Sequence, residues 1–191
     1  MTTYTSQYPP AHNDTYVKAT TLYSGVAFYP HFTTDPSKPL TGTWNYNSWV
    51  SQNAVYTNQR FHIDLGAGKI IRRIYYENAH LSGTRTNAGA KNFTFWGSNE
   101  ATAFAQLTYA TDTDWTQLTT SQSTLDQHVA ADQADPKYIT VTNTTAYRYY
   151  AFKFADNYGY TTYMSVRRIE LQTEDSAGTS TAKSCRTYII L

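Results

Sequence analysis

The sequence has 191 residues, a formal net charge of +1 at pH 7 and a charged fraction of only 15%. This length suits one domain with a short appendage, and the low charge means that Thr, Asn, Ser and Gln supply most of the polarity. A nearly neutral chain lacks the basic excess that attracts nucleic acid or anionic lipid. We therefore predict no nucleic-acid binding and no insertion into membranes.

The chain has one cysteine, Cys185, so neither an intramolecular disulfide nor a thiolate zinc cluster can form within one chain. Met1 to Pro10 contain no apolar stretch typical of a signal peptide, and no segment approaches the roughly 20 apolar residues of a membrane span. We therefore expect a soluble protein. If it works in an extracellular setting or at a virion surface, it arrives as part of a virus particle or after removal of a signal sequence.

The N-terminal part of the chain shows few regular patterns. Residues 1–15 are polar, contain a pair of prolines and predict an N-terminal arm or loop. Residues 16–29 allow one or two strands, whereas residues 30–48 contain three prolines and predict a long irregular loop. We expect the folded domain to begin at residue 16.

Alternating patterns then predict a series of short strands. Phe61, Ile63 and Leu65 alternate with polar residues, which is typical of a half-buried strand. A short helix over residues 99–109, starting at Asn99, is also possible. Many short strands with turns between them predict an all-β sandwich or barrel. The further strands are predicted at residues 69–77, 90–97, 146–155 and 163–173, with weaker candidates at 115–119, 125–129 and 137–143.

Five segments follow one another in an order and spacing that carry a resemblance. They are Ser48-Trp49-Val50-Ser51, Phe61-His62-Ile63-Asp64-Leu65-Gly66, Lys91-Asn92-Phe93-Thr94-Phe95-Trp96-Gly97-Ser98-Asn99, Tyr147-Arg148-Tyr149-Tyr150-Ala151-Phe152 and Ser165-Val166-Arg167-Arg168-Ile169-Glu170-Leu171. In these segments the chain resembles discoidin domains, also called coagulation-factor C-type domains, of the galactose-binding-like superfamily. The resemblance covers residues 16–173 and implies an eight-stranded jelly-roll β-sandwich. Residues 174–191 have the composition of a flexible tail.

The resemblance also implies binding through loops at one end of the sandwich, usually to sugars and sometimes to lipid headgroups or proteins. Many members hold a structural calcium ion between an acidic residue of an early loop and a glutamate of the closing strand. Here Arg168 aligns with that glutamate, and its guanidinium could instead occupy the same place and pair with a carboxylate such as Asp35. If Glu170 is the equivalent through a one-residue bulge, Asp35 and Glu170 could still share a calcium ion. We predict no cofactor and leave this calcium site open.

The sequence offers no arrangement typical of catalysis. None of its five histidines lies two or four residues from another, and it has neither an HExxH nor a GxSxG motif. The run from Gly66 to Lys69 lacks the spacing of a phosphate loop and precedes a strand, so it predicts a turn. We therefore predict that the protein is not an enzyme.

Polar and aromatic side chains in three loops are candidate ligand-binding residues. Aromatic rings stack on the apolar face of a pyranose, and imidazole, guanidinium and amide groups bind its hydroxyls. If the fold is as expected, the three loops converge at one end. In the alternative interpretation these tyrosines only cover the core and Trp44 packs on the flank. The candidates are Trp44 and Tyr46, then His80, Arg85 and Asn87, then Asn157, Tyr158 and Tyr160.

These observations favour a carbohydrate-binding, lectin-like module that recognises a surface glycan. The alternative is a non-catalytic structural or assembly protein of a virion or larger complex. In that case the N-terminal arm and the apolar end of the chain, Tyr188 to Leu191, would contact neighbouring protein subunits.

Overall fold

Ten antiparallel strands form the frame of the computed structural model, which describes residues 2–175. One short α-helix and two single-turn 3-10 helices, Pro30–Thr34 and Thr86–Ala88, lie in the connections. The strands and the helix are β1 (Tyr4–Gln7), β2 (Val17–Ala19), β3 (Trp49–Val50), β4 (Gln59–Lys69), β5 (Ile71–Asn78), β6 (Phe93–Ser98), α1 (Ala101–Ala105), β7 (Thr116–Thr120), β8 (Lys137–Thr142), β9 (Tyr147–Phe154) and β10 (Ser165–Glu174).

The strands form two layers that share one edge. One layer has the order β1-β10-β5-β8, with β3 beside the start of β10, and the other has the order β2-β4-β9-β6-β7. Strands β7 and β8 also pair with each other, so the sheet curls over and encloses the core. This confirms the predicted all-β sandwich. It has ten strands instead of the expected eight, and two of them, β1 and β3, are only four and two residues long.

Strand β4 shows how alternation specifies the core and where it falls short. Phe61, Ile63 and Leu65 face the space between the layers and are at most 6% exposed. Their neighbour His62 was expected at the surface, but it is fully buried because the segment after β6 covers that side of the sheet. Its ring lies 4.9 Å from the ring of Trp115, and its Nδ1 lies 2.9 Å from the carbonyl oxygen of Phe104. The outer side of this layer therefore has a small core of its own.

Two weak patterns gave results that differ from expectation. Residues 125–129 form a loop in which Leu125 alone packs into the main core, so the prediction of a strand there is wrong. Residues 4–7, within the expected arm or loop, form β1 and pair with β10, with Tyr4 opposite Glu174. A polar edge strand satisfies the free backbone groups of its neighbour without an alternating apolar pattern, which explains why no periodic signal marks β1. Helix α1 lies within the predicted segment 99–109.

Because the strands pair in antiparallel fashion, successive connections lie at alternate ends of the sandwich. Asn78 pairs with Val166, and Phe154 pairs with both Gln59 and Phe93, so the connections next to these residues meet at one end. We call this the loop end, and it consists of residues 20–58, 79–92, 121–136 and 155–164. All three loops that carry candidate ligand-binding residues belong to it. Within residues 2–175 there is no helix of the length and apolarity that a membrane span requires.

Candidate functional site

The loop end contains a small cavity of about 140 Å³ that is lined mainly by aromatic side chains. Its walls are Tyr23, Phe28, Trp44, Val50 and Tyr163, and we call it the aromatic pocket. Tyr23, Phe28 and Trp44 come from the connection between β2 and β3. Val50 belongs to β3, and Tyr163 lies in the connection just before β10. The pocket therefore depends on segments that are far apart in the sequence and that the sandwich brings together.

The rings of the aromatic pocket hold one another by edge-to-face contacts. The Tyr163 ring lies 5.1 Å from the ring of Trp44 and 5.9 Å from that of Tyr23, at interplanar angles of 85° and 83°. Tyr23 in turn meets Phe28 at 5.2 Å and 78°. Such contacts stabilise aromatic clusters beyond simple burial. These contacts fix the orientation of the pocket walls, so a ligand can bind without first ordering the walls.

An arginine and a tyrosine form the polar rim of the pocket. Arg85 Nη1 donates a hydrogen bond to the Tyr160 hydroxyl at 2.9 Å, and its guanidinium lies 5.2 Å from the centre of the Tyr160 ring. The Tyr160 ring contacts that of Tyr163 at 4.9 Å, and their hydroxyls are 3.5 Å apart. Arg85 is exposed, so its remaining donors face solvent. The rim thus offers a charged donor and two hydroxyl groups above an apolar cavity.

Tyr160 at the rim and Tyr163 in the wall differ in acidity. The hydrogen bond with Tyr163, together with the nearby Arg85 guanidinium, lowers the pKa of the Tyr160 hydroxyl. Burial is the main cause that raises the pKa of Tyr163. Tyr160 is the member of the pair whose hydroxyl bonds Arg85, so it lies on the side of the rim.

Trp44, one of the walls of the pocket, carries an unpaired donor. Its ring is only 4% exposed and packs on Val50 and Ala88, and its indole nitrogen finds no hydrogen-bond acceptor among residues 2–175. A buried N–H group without an acceptor costs roughly 1–3 kcal/mol. Such groups are rare in folded proteins and call for an explanation, such as a water or a ligand.

Three of the predicted ligand-binding residues have structural roles instead. His80 is fully buried: its Nδ1 accepts a hydrogen bond from the Gly83 amide, and its Nε2 lies 2.9 Å from the Leu40 carbonyl oxygen. The buried Asn157 closes its own loop with bonds to backbone carbonyls and to the Gly159 amide. The Tyr158 hydroxyl donates to the Leu125 carbonyl at 2.6 Å. These side chains hold the loops and do not enter the candidate site.

The two other predicted residues lie near the pocket without lining it. Tyr46 is 53% exposed and meets the ring of Phe32 edge-on at 6.0 Å. Asn87 is half-buried in the 3-10 turn next to Ala88, which packs beneath Trp44. Of the eight predicted residues, the structure therefore brings together Trp44, Arg85 and Tyr160.

The carboxylates implied as calcium ligands both have partners in the protein. Asp35 Oδ1 accepts hydrogen bonds from the amide and hydroxyl of Ser37 at 2.9 and 2.7 Å. Glu170 Oε1 accepts from Arg168 Nη1 at 3.2 Å, and Arg168 Nη2 donates to the Lys38 carbonyl at 2.6 Å. The Arg168 guanidinium, paired with Glu170 and not with Asp35, thus takes oxygen ligands of the kind that calcium requires. These residues do not fit a calcium ion, and residues 2–175 hold no cluster of three His, Cys, Asp or Glu side chains suited to a metal.

Sequence reasoning missed three aromatic walls of the pocket, namely Tyr23, Phe28 and Tyr163. Tyr163 stood at the start of a predicted strand, but it lies two residues before β10 and points its ring to the loop end. Tyr23 and Phe28 lie in a mixed apolar run that indicated only strands. Tyrosine occurs 18 times in the chain, so its presence in a loop was a weak signal.

The fold has clear counterparts among solved structures, although no protein-family model and no curated protein sequence matches the chain. It is similar to the family 32 carbohydrate-binding module of Clostridium perfringens NanJ in complex with galactose, with a TM-score of 0.57 and 10% identity over 82% of this chain and 92% of that one. It is also similar to CpGH89CBM32-5 from Clostridium perfringens in complex with GalNAc-β-1,3-galactose, with a TM-score of 0.54 and 12% identity over 81% and 92%.

A third similar structure is a variant of chitosan-binding module 1 from a chitosanase/glucanase of Paenibacillus sp. IK-5, with a TM-score of 0.52 and 18% identity over 82% of this chain and 92% of that one. Each of these modules is matched over nearly its whole length, so the likeness concerns the complete domain. Together with the two-layer strand order, it confirms the expected discoidin-like architecture. The chain thus has the same β-sandwich fold as these three carbohydrate-binding modules.

Proposed function

We propose that this protein is a non-catalytic carbohydrate-binding module that recognises a sugar residue of a surface glycan at the aromatic pocket and its Arg85–Tyr160 rim. The observation that carries the proposal is the combination of aromatic walls, an unpaired indole N–H and an exposed guanidinium–hydroxyl pair in one place.

The chemistry of the site matches that of a pyranose. A sugar ring has apolar C–H faces, which pack on aromatic rings, and hydroxyl groups at its edge, which require paired donors and acceptors. Tyr163 and Trp44 supply ring surface, whereas Arg85 and the Tyr160 hydroxyl supply directed hydrogen bonds. The cavity of about 140 Å³ is smaller than the roughly 300–1,000 Å³ of pockets for drug-sized ligands. It therefore suits one sugar residue with the rest of a chain outside.

Similar folds support this assignment at the level of ligand class. The modules of NanJ and of CpGH89CBM32-5 are seen with galactose and with GalNAc-β-1,3-galactose, and the Paenibacillus module is named for chitosan. The same fold thus accepts neutral and amino sugars, and the loop side chains decide among them. A site with one arginine and no carboxylate at its rim favours a neutral or acidic sugar over a cationic one.

The alternative role in assembly has no comparable support. It depended on an N-terminal arm and on the apolar chain end reaching neighbouring subunits. Residues 4–7 of that arm pair with β10 of the same chain. The tail from residue 176 onwards, which includes Cys185 and Tyr188 to Leu191, lies outside the described residues.

Calorimetric or NMR titration tests the proposal directly. The panel contains galactose, N-acetylgalactosamine, galacturonate and a chitosan oligomer, each up to millimolar concentration because single sugars bind weakly to open sites. We expect binding of at least one ligand, with amide shifts at residues 85, 160 and 163. No binding by any member, or shifts confined to another surface, would contradict the proposal.

A further inference from the structure

Arg167, near the start of β10, is fully buried, and its guanidinium is enclosed by backbone carbonyl oxygens. Nη1 donates to the carbonyls of Thr41 and Thr43 at 3.0 and 3.3 Å. Nη2 donates to those of Gly42 and His80 at 3.0 and 2.5 Å. Four carbonyl oxygens from two separate loops thus converge on one side chain, and we call this arrangement the carbonyl cage.

The charge of Arg167 has no carboxylate in contact among the described residues. The acidic groups that act on it, Asp132 and Glu77, do so without forming an ion pair within 4 Å. Its Nε also lacks a hydrogen-bond partner in residues 2–175. Burial lowers the pKa of Arg167 to about 10, so the group remains cationic at neutral pH. A buried cation is therefore neutralised mainly by carbonyl dipoles.

The neighbouring Arg168 makes the contrast plain. Arg168 has one carboxylate partner, Glu170, and one carbonyl partner, whereas Arg167 has four carbonyls and no carboxylate. A set of converging carbonyl oxygens is a ligand environment that hard cations such as calcium use in proteins. In this chain the same kind of environment is filled by a covalently attached cation from the closing strand.

We propose that the Arg167 guanidinium is a built-in cation that replaces a bound metal ion at the loop end, and that it fixes the Thr41–Thr43 segment to His80. This has a consequence for the ligand site, which rests on the proposed function and follows from the order of residues along the chain. Thr43 directly precedes Trp44 of the aromatic pocket, and His80 begins the loop that carries Arg85. Arg167 is thus a positioning residue that joins the wall of the pocket to its rim and makes both independent of calcium.

The wild-type chain provides the first test, with the melting temperature measured in EDTA and in 10 mM calcium. We expect the two values to agree within about 1 °C, because the cage already holds its cation. A rise with calcium, or a fall in EDTA, of several degrees would overturn the proposal. This arm needs no sugar ligand and no variant that might fold poorly.

Substitution of the built-in cation provides the second test. Arg167→Glu removes the guanidinium and adds a carboxylate to the four carbonyls, which creates an oxygen-only site of the kind calcium prefers. We expect its melting temperature to lie below that of the wild type in EDTA, and to rise in 10 mM calcium by about 4 °C, as for a millimolar site in a domain of this size. Magnesium, which requires a smaller octahedral site, should give a weaker response.

Two control variants separate this effect from general ones. Arg167→Gln loses the cation without adding a charge, so it should be destabilised and insensitive to calcium. Arg73→Glu makes the same change of charge at a partly exposed position on β5, where no carboxylate of the described residues lies within 4 Å of the guanidinium, and it should also show no calcium response. If Arg167→Glu ignores calcium, or fails to fold in calcium while Arg167→Gln folds, the cage is not a cation site and the proposal is wrong. If neither variant folds, the wild-type measurement decides.

The sugar-binding readout keeps the two proposals apart. A calcium-restored Arg167→Glu variant should regain affinity for whichever sugar the wild type binds, because the loops return to their places. If the calcium response appears but no sugar binds to the wild type, only the proposed function fails. If the wild type binds sugar, but its sugar affinity and its stability both depend on calcium, only the proposal of a built-in cation is wrong.

Discussion

Two surfaces of this protein present tyrosines beside an arginine, and they differ in what those groups already contact. On the outer side of the β1-β10-β5-β8 layer, the Arg73 guanidinium lies between the rings of Tyr4 and Tyr138, at 3.8 and 4.5 Å from their centres. Its Nε donates to Gln172 at 2.6 Å. We call this surface the tyrosine face. At the loop end, Arg85 contacts one ring and one hydroxyl.

The comparison shows that residue type alone does not identify a binding site. The Arg73 guanidinium contacts two rings and a glutamine side chain, so it serves as a bridge across the sheet and has little left for a ligand. Arg85 is exposed, and among the described residues its guanidinium lies over one ring, that of Tyr160. A site is indicated where polar groups remain partly unsatisfied next to an apolar cavity, as at the indole nitrogen of Trp44.

The largest effect is expected from Trp44→Ala at the loop end. Removing a buried tryptophan from a packed cluster costs about 3–5 kcal/mol of stability, and it opens the pocket so that sugar binding is lost. Trp44→Phe should retain most of the stability but bind more weakly, because it lacks the indole N–H. Chemical denaturation and sugar titration of both variants measure the two losses separately. Full affinity in Trp44→Ala would show that the pocket is not the site.

The two arginines should separate binding from stability. Arg85→Ala is expected to weaken sugar binding by about 1.5–3 kcal/mol, the range for a hydrogen bond to a charged group, and to leave the unfolding free energy nearly unchanged. Arg73→Ala should leave sugar affinity unchanged and lower stability by about 1–2 kcal/mol, because it removes two ring contacts and a hydrogen bond. Calorimetry and urea unfolding on the same preparations test both. The reverse pattern would assign the ligand to the tyrosine face.

The sandwich was largely predictable because its signal is periodic and local. Phe61, Ile63 and Leu65 point one way along β4 whatever the loops do. The site was predictable only in part. Trp44, Arg85 and Tyr160, which the structure brings together, were predicted because aromatic and charged residues in loops of one end are natural candidates for a binding site.

The remainder of the site depends on how the loops fold over the end of the sandwich. His80 was included for its imidazole, yet its two ring nitrogens bind backbone groups of two loops. Arg167 was not among the predicted site residues. Its partners are four main-chain carbonyls, and main-chain groups leave no trace in a sequence. A local sequence pattern does not predict a side-chain hydrogen bond whose partner is a main-chain group.

A smaller and more specific difference is expected for single hydroxyl groups. Tyr160→Phe removes the rim hydroxyl that bonds Arg85 but keeps the ring, so affinity should fall by about 0.5–1.5 kcal/mol. The matched change on the tyrosine face, Tyr138→Phe, should alter neither affinity nor stability measurably, since Tyr138 is 53% exposed. Equal effects of the two variants in sugar titration would mean that the comparison of the two surfaces does not hold.

The smallest effect concerns pH, and it should distinguish the loop end from the tyrosine face. Burial is the main cause that lowers the pKa of His80 below its ordinary value of 6.5. The nearby Arg167 and His128 act in the same direction, against the hydrogen bond to the Leu40 carbonyl and the charge of Asp132. The folded protein thus holds His80 neutral, and at pH values below 6.5 the unfolded chain binds more protons than the folded one. The stability contributed by His80 is complete above pH 6.5 and declines as the pH falls toward its folded pKa.

Protonation of His80 would also place a proton on Nδ1, where the Gly83 amide now donates, so the 80–84 turn should loosen first. Hydrogen exchange between pH 7 and pH 4.5, corrected for the intrinsic pH dependence, should show reduced protection at residues 81–84. The exchange protection of the β5 amides in the part of the strand that pairs with β8, beneath the tyrosine face, should stay unchanged. In His80→Gln the loop-end change should disappear. A uniform loss of protection across both regions would show instead that acid acts on the whole domain and that His80 does not couple the loop end to pH.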